Sequence, residues 1–432
     1  MKKILNLFTA LGFNGRYFEQ VSISSNFKKR TRKLNCFDYI SALILNASNT
    51  VMSYNTLASS IASEGCKSVS KQALQKAMVK GEFLNCFEII FRDVLLSKLN
   101  LNSVKLTGKY KRIIIQDSTI IKLPGRLFEK FSGVCNGFVQ VANARMQLAV
   151  NILSNTIVHY SLNSYSDNDI KVAGELAIQA DDLILRDRGY FSISEIKRII
   201  KLKASFIYRY KHGIHYCDSE TGIPINLLKK LRKTNPTCLT VKLCDKNGPI
   251  VRLIAVPIKQ ELANMRRAKL KKEAKNTPGE EVLALLSWSI FITSIDDVSM
   301  NYKEIFELYK LRWRIEIVFK TMKSHLNLDH IHNVSENQLK FIVLAKLLLI
   351  VLILQFIYEL LLNPIKEIYG KTLSLIKLVR FIIDTKNTIQ DLIVIGKNSP
   401  GKECEGLNLL AKYCTYDKRE RNNFVQHLQA YP

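Results

Sequence analysis

Two short apolar runs, each carrying an aspartate, restrict the fold of this chain more than anything else in it. The first is KRIIIQDSTIIKL at 111–123, where Asp117 stands among β-branched residues. The second is DLILRD at 182–187, which ends on Asp187 with Gly189 just beyond. Short runs rich in Ile and Leu, bounded by turn residues, read as strands buried in a sheet. A carboxylate in the middle of such a strand is costly unless a donor, a cation or a metal ion compensates it. Asp187 falls at the carboxyl end of its strand, where α/β sheets commonly place their sites.

The surrounding pattern gives a mixed α/β layer arrangement. Residues 1–105 read as helical, with apolar residues at helical spacing in Phe37–Leu45 and Phe83–Leu99. Residues 54–78 read as two short helices broken near Gly65, the second capped by Ser68 or Ser70. Such a pair is either a DNA-reading helix-turn-helix or a plain helical pair. Residues 146–162 read as two strands turning at Ser154-Asn155, and 168–180 as a helix. Ser192 and Glu195 have the spacing of a capping box that opens the next helix. From 204 to 284 short strands alternate with turns and end in a basic stretch. Residues 284–294 return to a buried strand, 302–327 form one long helix, and an apolar helix over 338–363 ends at Asn363-Pro364.

Charge narrows the partner. Lys and Arg number 64 against 37 Asp and Glu, a formal net charge of +27. So large an excess repels itself unless a polyanion neutralises it, and nucleic acid is the usual partner. The nine cysteines are odd in number and contain no CxxC pair, which speaks against a zinc module or a disulfide framework and fits a reducing cytosol. His325, His330 and His332 lack zinc spacing. The opening MKKILNLFTALGF reads as a helix and not a signal peptide. The apolar segment Phe341–Leu362 is interrupted by Lys346, Gln355 and Glu359, so a buried core helix is expected and not a membrane span.

A third acid, Glu316, lies on the helix expected over 302–327. Tyr309, Arg312 and Lys323 stand at offsets −7, −4 and +7 from it. At ~100° per residue, all four fall within roughly 60° of one another. A solvated, salt-bridged face would look the same, since Arg312 and Glu316 are an i, i+4 pair.

The spacing Tyr309-x2-Arg312-x3-Glu316-x6-Lys323 resembles the Y-(2)-R-(3)-E-(6)-K signature of the IS4-type DDE transposases. QDST at 116–119 and RDRGYF at 186–191 are similar to that family's segments around its first and second aspartates. Trp288 stands where the family has a tryptophan near a flipped base. The resemblance runs from about 112 to 335, and the gap of 129 residues between Asp187 and Glu316 is long, as in that family. Ser289 and Phe291 depart from its plainer aliphatics.

The resemblance implies an α/β, RNase H-like mixed sheet flanked by helices, with a β-rich insertion and a helical N-terminal domain. The expected divisions are 1–105, N-terminal and DNA-binding; 106–203, the first part of the catalytic domain; 204–284, the insertion with its basic helix; 285–365, the second catalytic part; and 366–432, a helical C-terminal region. It implies Asp117, Asp187 and Glu316 as catalytic residues and ligands of two Mg²⁺ ions, with Mn²⁺ as a substitute. Tyr309, Arg312, Lys323, Trp288, Arg188, Arg266, Arg267, Lys271 and Lys272 become candidate DNA contacts. The expected partners are double-stranded DNA, both inverted-repeat ends and target, bound by a homodimer on the bacterial nucleoid in the cytoplasm, without a membrane. The function implied is cut-and-paste DNA transposition. The alternatives are a nuclease on the same fold and an inactive transposon-derived DNA-binding protein.

Overall fold

The computed structural model describes residues 8–9, 11–28, 34–65, 68–96, 110–133, 140–167, 169–170, 174–233, 237–244, 247–274, 276–296, 300–384, 392 and 405–416. Residues 29–33, rich in Lys and Arg, as well as Lys275 and Lys418–Arg421, lie outside them. The chain divides into two compact units. One comprises Met1–Leu106, Ser118–Asp167 and Trp313–Pro432; the other comprises Thr107–Asp117 and Asn168–Arg312. The strands are β1 (Arg112–Leu123), β2 (Ala142–Asn151), β3 (Thr156–Ser164), β4 (Asp182–Arg186), β5 (Ser205–Arg209), β6 (Tyr216–Asp218), β7 (Thr237–Leu243), β8 (Ile250–Pro257) and β9 (Trp288–Thr293). Their order is β3-β2-β1-β4-β5-β9-β8-β7-β6. Strand β1 is shared, through Asp117 with one unit and from Ser118 with the other.

In the second unit β1, β4 and β5 run parallel, and β9, β8, β7 and β6 continue antiparallel. All five residues of β4 are buried, which explains its unbroken aliphatic run. The helix Ile193–Lys201 makes the crossover from β4 to β5. Ser192 is its N-cap residue, but the expected capping box does not form. Glu195 instead accepts from Arg186 Nη1 at 2.7 Å and from Arg198 at 2.7 and 2.8 Å. Of the helix expected over 168–180, residues 169–170 are helical and 174–180 are turn and irregular chain, while 168 and 171–173 lie outside the described residues. The strand expected over 284–294 begins only at Trp288, because Glu280–Leu285 is a short helix. The helix expected over 302–327 is two, Tyr302–Lys310 and Trp313–Leu326. They part where the Leu311 and Arg312 amides bond to Leu308 and Tyr309 in tight turns. Cys217 and Cys244, with Cα atoms 5.8 Å apart, are joined in a disulfide that corrects the expectation of none.

In the first unit, helices Gly15–Ser24, Cys36–Leu45, Tyr54–Gly65, Lys71–Met78 and Gly81–Leu96 surround an aromatic core. Phe8, Phe18 and Phe37 pack edge to face, and Phe83 meets Phe27, Tyr39 and, at 5.9 Å, Phe341. Ser70 caps Lys71–Met78 by accepting from the Ala73 amide. Phe341 belongs to the apolar helix, which does not end at Asn363-Pro364. It runs as Glu336–Leu352, a π-helical stretch Ile353–Tyr358 and Glu359–Tyr369, with Pro364 inside and Gly370 closing it at φ 61°. This helix is long and apolar enough to cross a membrane, yet 94% of its most apolar window is buried inside the protein.

Lys346 sits buried in that helix. Its ammonium donates to the carbonyls of Ala47 and Leu326, which follow or end the helices Cys36–Leu45 and Trp313–Leu326. Cations suit such C-terminal carbonyls. Burial nevertheless pushes the Lys346 pKa down to about 8. The unfolded chain binds this proton more tightly, so the full cost of charging Lys346 applies below pH 8 and is relieved as pH rises toward the free-lysine value. The wild-type denaturation midpoint, measured against that of Lys346→Met, should therefore climb between about pH 8 and 10, by up to roughly 3 kcal/mol. A constant difference across that window would remove Lys346 as the cause.

Candidate active site

Parallel pairing brings the two aspartates together. The β1–β4 register ends with Gln116 opposite Arg186. Asp117 and Asp187 are the next residue on each strand, on neighbours spaced ~4.8 Å apart. Because side chains alternate, Gln116 and Arg186 point to one face and both aspartates to the other. The faces differ in burial. Gln116, Arg186 and Tyr208 are buried, while Asp117, Asp187 and Arg209 are half-buried. On the buried side Arg186 donates to Gln116 Oε1 at 2.7 Å, to Glu195 Oε1 at 2.7 Å and to the Tyr208 hydroxyl at 2.8 Å.

Tyr309 and Arg312 close over the carboxylates. Arg312 Nη1 donates to Asp117 Oδ2 at 2.9 Å, a charge-assisted bond with both partners largely out of solvent. The Tyr309 hydroxyl donates to Asp187 Oδ1 at 3.3 Å and to the Arg186 carbonyl at 3.4 Å. Burial first, and then the charge of Asp187, pushes the Tyr309 pKa above the ordinary tyrosine range, so the phenol remains a donor. The Tyr309 ring packs on Phe291 at 4.7 Å, and the Arg312 guanidinium lies 5.8 Å from the ring centre.

The four residues of the spaced signature do not share one continuous helix. Tyr309 ends the helix Tyr302–Lys310, and Arg312 lies in the connection. Glu316 and Lys323, both half-buried, lie on Trp313–Leu326 in the other unit. Among the described residues, no group of three or more His, Cys, Asp or Glu stands close enough together to hold a metal ion.

The other candidates divide into inward and outward groups. Arg188 is exposed just beyond Asp187, and Lys271 and Lys272 are exposed on the helix Gln260–Glu273. Arg266 and Arg267, on the same helix, turn inward. Arg266 reaches the Trp288 carbonyl at 3.4 Å and Ser289 Oγ at 3.3 Å. Arg267 donates to the Leu283 carbonyl at 3.0 Å and to the Ser287 hydroxyl. The two arginines thus brace the segment leading into half-buried Trp288. Arg209 was missed in the sequence. Tyr208 pairs with Arg186, so Arg209 is next in the row after Asp117 and Asp187. The only signal was its alternation in SFIYRY.

Two aspartates thus stand next in register on neighbouring parallel strands, clasped by a tyrosine and an arginine. The chain belongs to the transposase DDE domain family, whose model matches residues 109–352, more than half of its length. It is 24% identical over 366 residues to the transposase for insertion sequence element IS231F of Bacillus thuringiensis subsp. israelensis, covering 78% of this chain and 76% of that protein. It is 27% identical over 296 residues to the transposase for IS1151 of Clostridium perfringens, covering 62% of each. Among solved structures, the piggyBac transposase synaptic complex with hairpin DNA aligns with 93% of this chain and 82% of its own at 10% identity. Its TM-score is 0.45.

Proposed function

We propose that the chain is an IS4-type DDE transposase that cuts DNA strands at the ends of an insertion sequence and joins them to a target. The adjacency of Asp117 and Asp187, next in register on parallel strands, carries this reading. An RNase H-like description of the catalytic part is supported by the order β3-β2-β1-β4-β5, with β4 parallel to β1 and β5 parallel to β4.

Two carboxylates side by side repel each other unless positive charge lies between them, and their oxygens suit hard divalent cations. The donor set therefore fits Mg²⁺, or Mn²⁺ in its place, with Asp117, Asp187 and Glu316 as the residues that would hold two ions. When bound, such ions supply the charge that favours attack on, and departure from, a phosphodiester phosphorus. Tyr309 fixes the orientation of the Asp187 carboxylate. Arg312 balances Asp117 in the free protein and turns part of its fork to a DNA phosphate on binding. Lys323 adds a second cation to the strand. Trp288 offers a ring to an unpaired base. Arg188, Lys271 and Lys272 follow the phosphate backbone. The reaction is hydrolysis that frees a 3′-hydroxyl, followed by attack of that hydroxyl on a second strand, without a covalent enzyme intermediate. The protein acts as a homodimer on DNA in the bacterial cytoplasm.

The test is a strand-transfer assay on duplexes ending in the sequences that flank the coding region, with a free 3′-hydroxyl and Mg²⁺ or Mn²⁺ present. Joined product is expected, together with complete loss on chelation and recovery when the cation is restored. Cleavage with no joined product would favour a nuclease, and cleavage indifferent to chelation would refute the acid-based site.

A further inference from the structure

Arg209 belongs to none of the motifs that single out the aspartates, yet it completes their row. Asp117 ends one half of β1, Asp187 follows β4, and Arg209 ends β5, on the sheet face opposite Gln116, Arg186 and Tyr208. Strand β9 extends the row, since Phe291 pairs with Arg209. Ser289, two residues back on the same side of β9, receives Arg266. The Arg209 side chain makes no hydrogen bond or ion pair with any described residue. Arg266 meets a carbonyl and a hydroxyl at 3.3–3.4 Å and, among the described residues, no carboxylate. The two guanidinium groups are near enough to sense each other. Burial first, and then the charge of Arg209, weakens the hold of Arg266 on its proton. Like charges on a half-buried face are unfavourable until an anion arrives.

We infer that Arg209 and Arg266 form a subsite for one backbone phosphate of the bound DNA strand, set beside the aspartate pair. The inference deepens the proposed function and rests on it, since DNA is taken as the polyanion. A phosphate supplies acceptor oxygens to both forks and removes the repulsion between them. With Arg266 tied to the Trp288 carbonyl and Ser289, the same phosphate fixes the strand relative to Trp288.

The experiment uses the full chain and a duplex ending in the sequence that flanks its coding region, with affinity measured across a salt series. Arg209→Gln is expected to weaken binding about tenfold near physiological salt. It should also reduce the slope of log affinity against log salt by about 0.9, the share of one phosphate contact. Arg209→Lys should keep the slope. The double variant Arg209→Gln/Arg266→Gln should lose little more slope than either single variant, because both hold one phosphate. A methylphosphonate scan of the strand should locate a single linkage whose neutralisation erases the difference between wild type and Arg209→Gln. Without DNA, Arg209→Gln should melt close to wild type, since relief of the repulsion from Arg266 is offset by lost attraction to Asp187 on the neighbouring strand. A wild-type slope in Arg209→Gln, or no such linkage in the scan, overturns the subsite, as does a melting point several degrees lower. If the wild type binds with the expected slopes but never cleaves, the catalytic reading falls and the subsite stands. If it cleaves while Arg209→Gln keeps the wild-type slope, the subsite alone falls.

Discussion

Asp187→Asn is expected to reduce strand cleavage on the order of 10³-fold or more, while DNA affinity and thermal midpoint stay near wild type. Asparagine keeps the volume and still offers an oxygen to the Tyr309 hydroxyl, which now donates to Asp187 Oδ1 at 3.3 Å. What disappears is a negative charge beside Asp117, so repulsion within the pair falls and the fold should lose nothing. The proposed hard-cation ligand is lost with it. Asp117→Asn should differ in kind. Arg312 is buried and its guanidinium donates to Asp117 Oδ2 at 2.9 Å, so the substitution removes the charge from one acceptor of a buried cation. Asp117→Asn should therefore cost both the reaction and about 2 kcal/mol of stability. Cleavage and melting measured on both variants separate the two effects, and an Asp187→Asn protein that cuts at the wild-type rate would end the assignment.

The parts of this fold that the sequence announced are those set by local chemistry. Ile113–Ile115 and Leu183–Leu185 mark strands because burial on both faces demands unbroken aliphatics. The hairpin of β2 and β3 turns where Asn155 takes a positive φ of 47°, a conformation asparagine tolerates. Other parts depended on distant partners. The stripe Leu308, Leu311, Ile315, Met322 keeps helical period straight through the break at Leu311–Arg312, so periodicity alone reads one helix. The break falls in the connection from which Arg312 reaches Asp117, 195 residues away. Ser192 and Glu195 have capping-box spacing, but Glu195 is engaged by Arg186 and Arg198. Arg266 and Arg267 look like solvent-facing charges in a basic run, and only the packing of the helix against the 283–289 segment turns them inward. Arg209 escaped notice because its neighbours in the row lie on other strands. Within the site, Asp117 and Asp187 could be picked out one by one as misplaced charges, whereas their adjacency is a matter of register that no local pattern encodes.

That register rests on the buried side of the sheet, and Arg186→Met should expose it. Arg186 is fully buried and Glu195 nearly so, and the guanidinium also serves Gln116 and Tyr208. Removing one partner of a buried ion pair typically costs about 3–5 kcal/mol. Here Arg198 still holds Glu195, so the lower end, about 3 kcal/mol, is expected in urea unfolding. Arg186→Met/Glu195→Gln should recover none of the loss, because Arg198 already pairs with Glu195 and the second substitution removes that partner. Acid adds a second signature. Burial alone would raise the Glu195 pKa, but its bonds to Arg198 and Arg186 outweigh that and hold it below the ordinary glutamate range. The unfolded chain then takes up this proton first, so the stabilisation is present at neutral pH and is lost as pH falls through the folded-state value. In Arg186→Met this acid loss should shrink. The same substitution loosens the row beneath Asp117, Asp187 and Arg209, so cleavage at low temperature, where the variant remains folded, should fall further than its folded fraction accounts for. An Arg186→Met protein with the wild-type urea midpoint and wild-type cleavage would mean that the buried arginine holds neither the sheet nor its site.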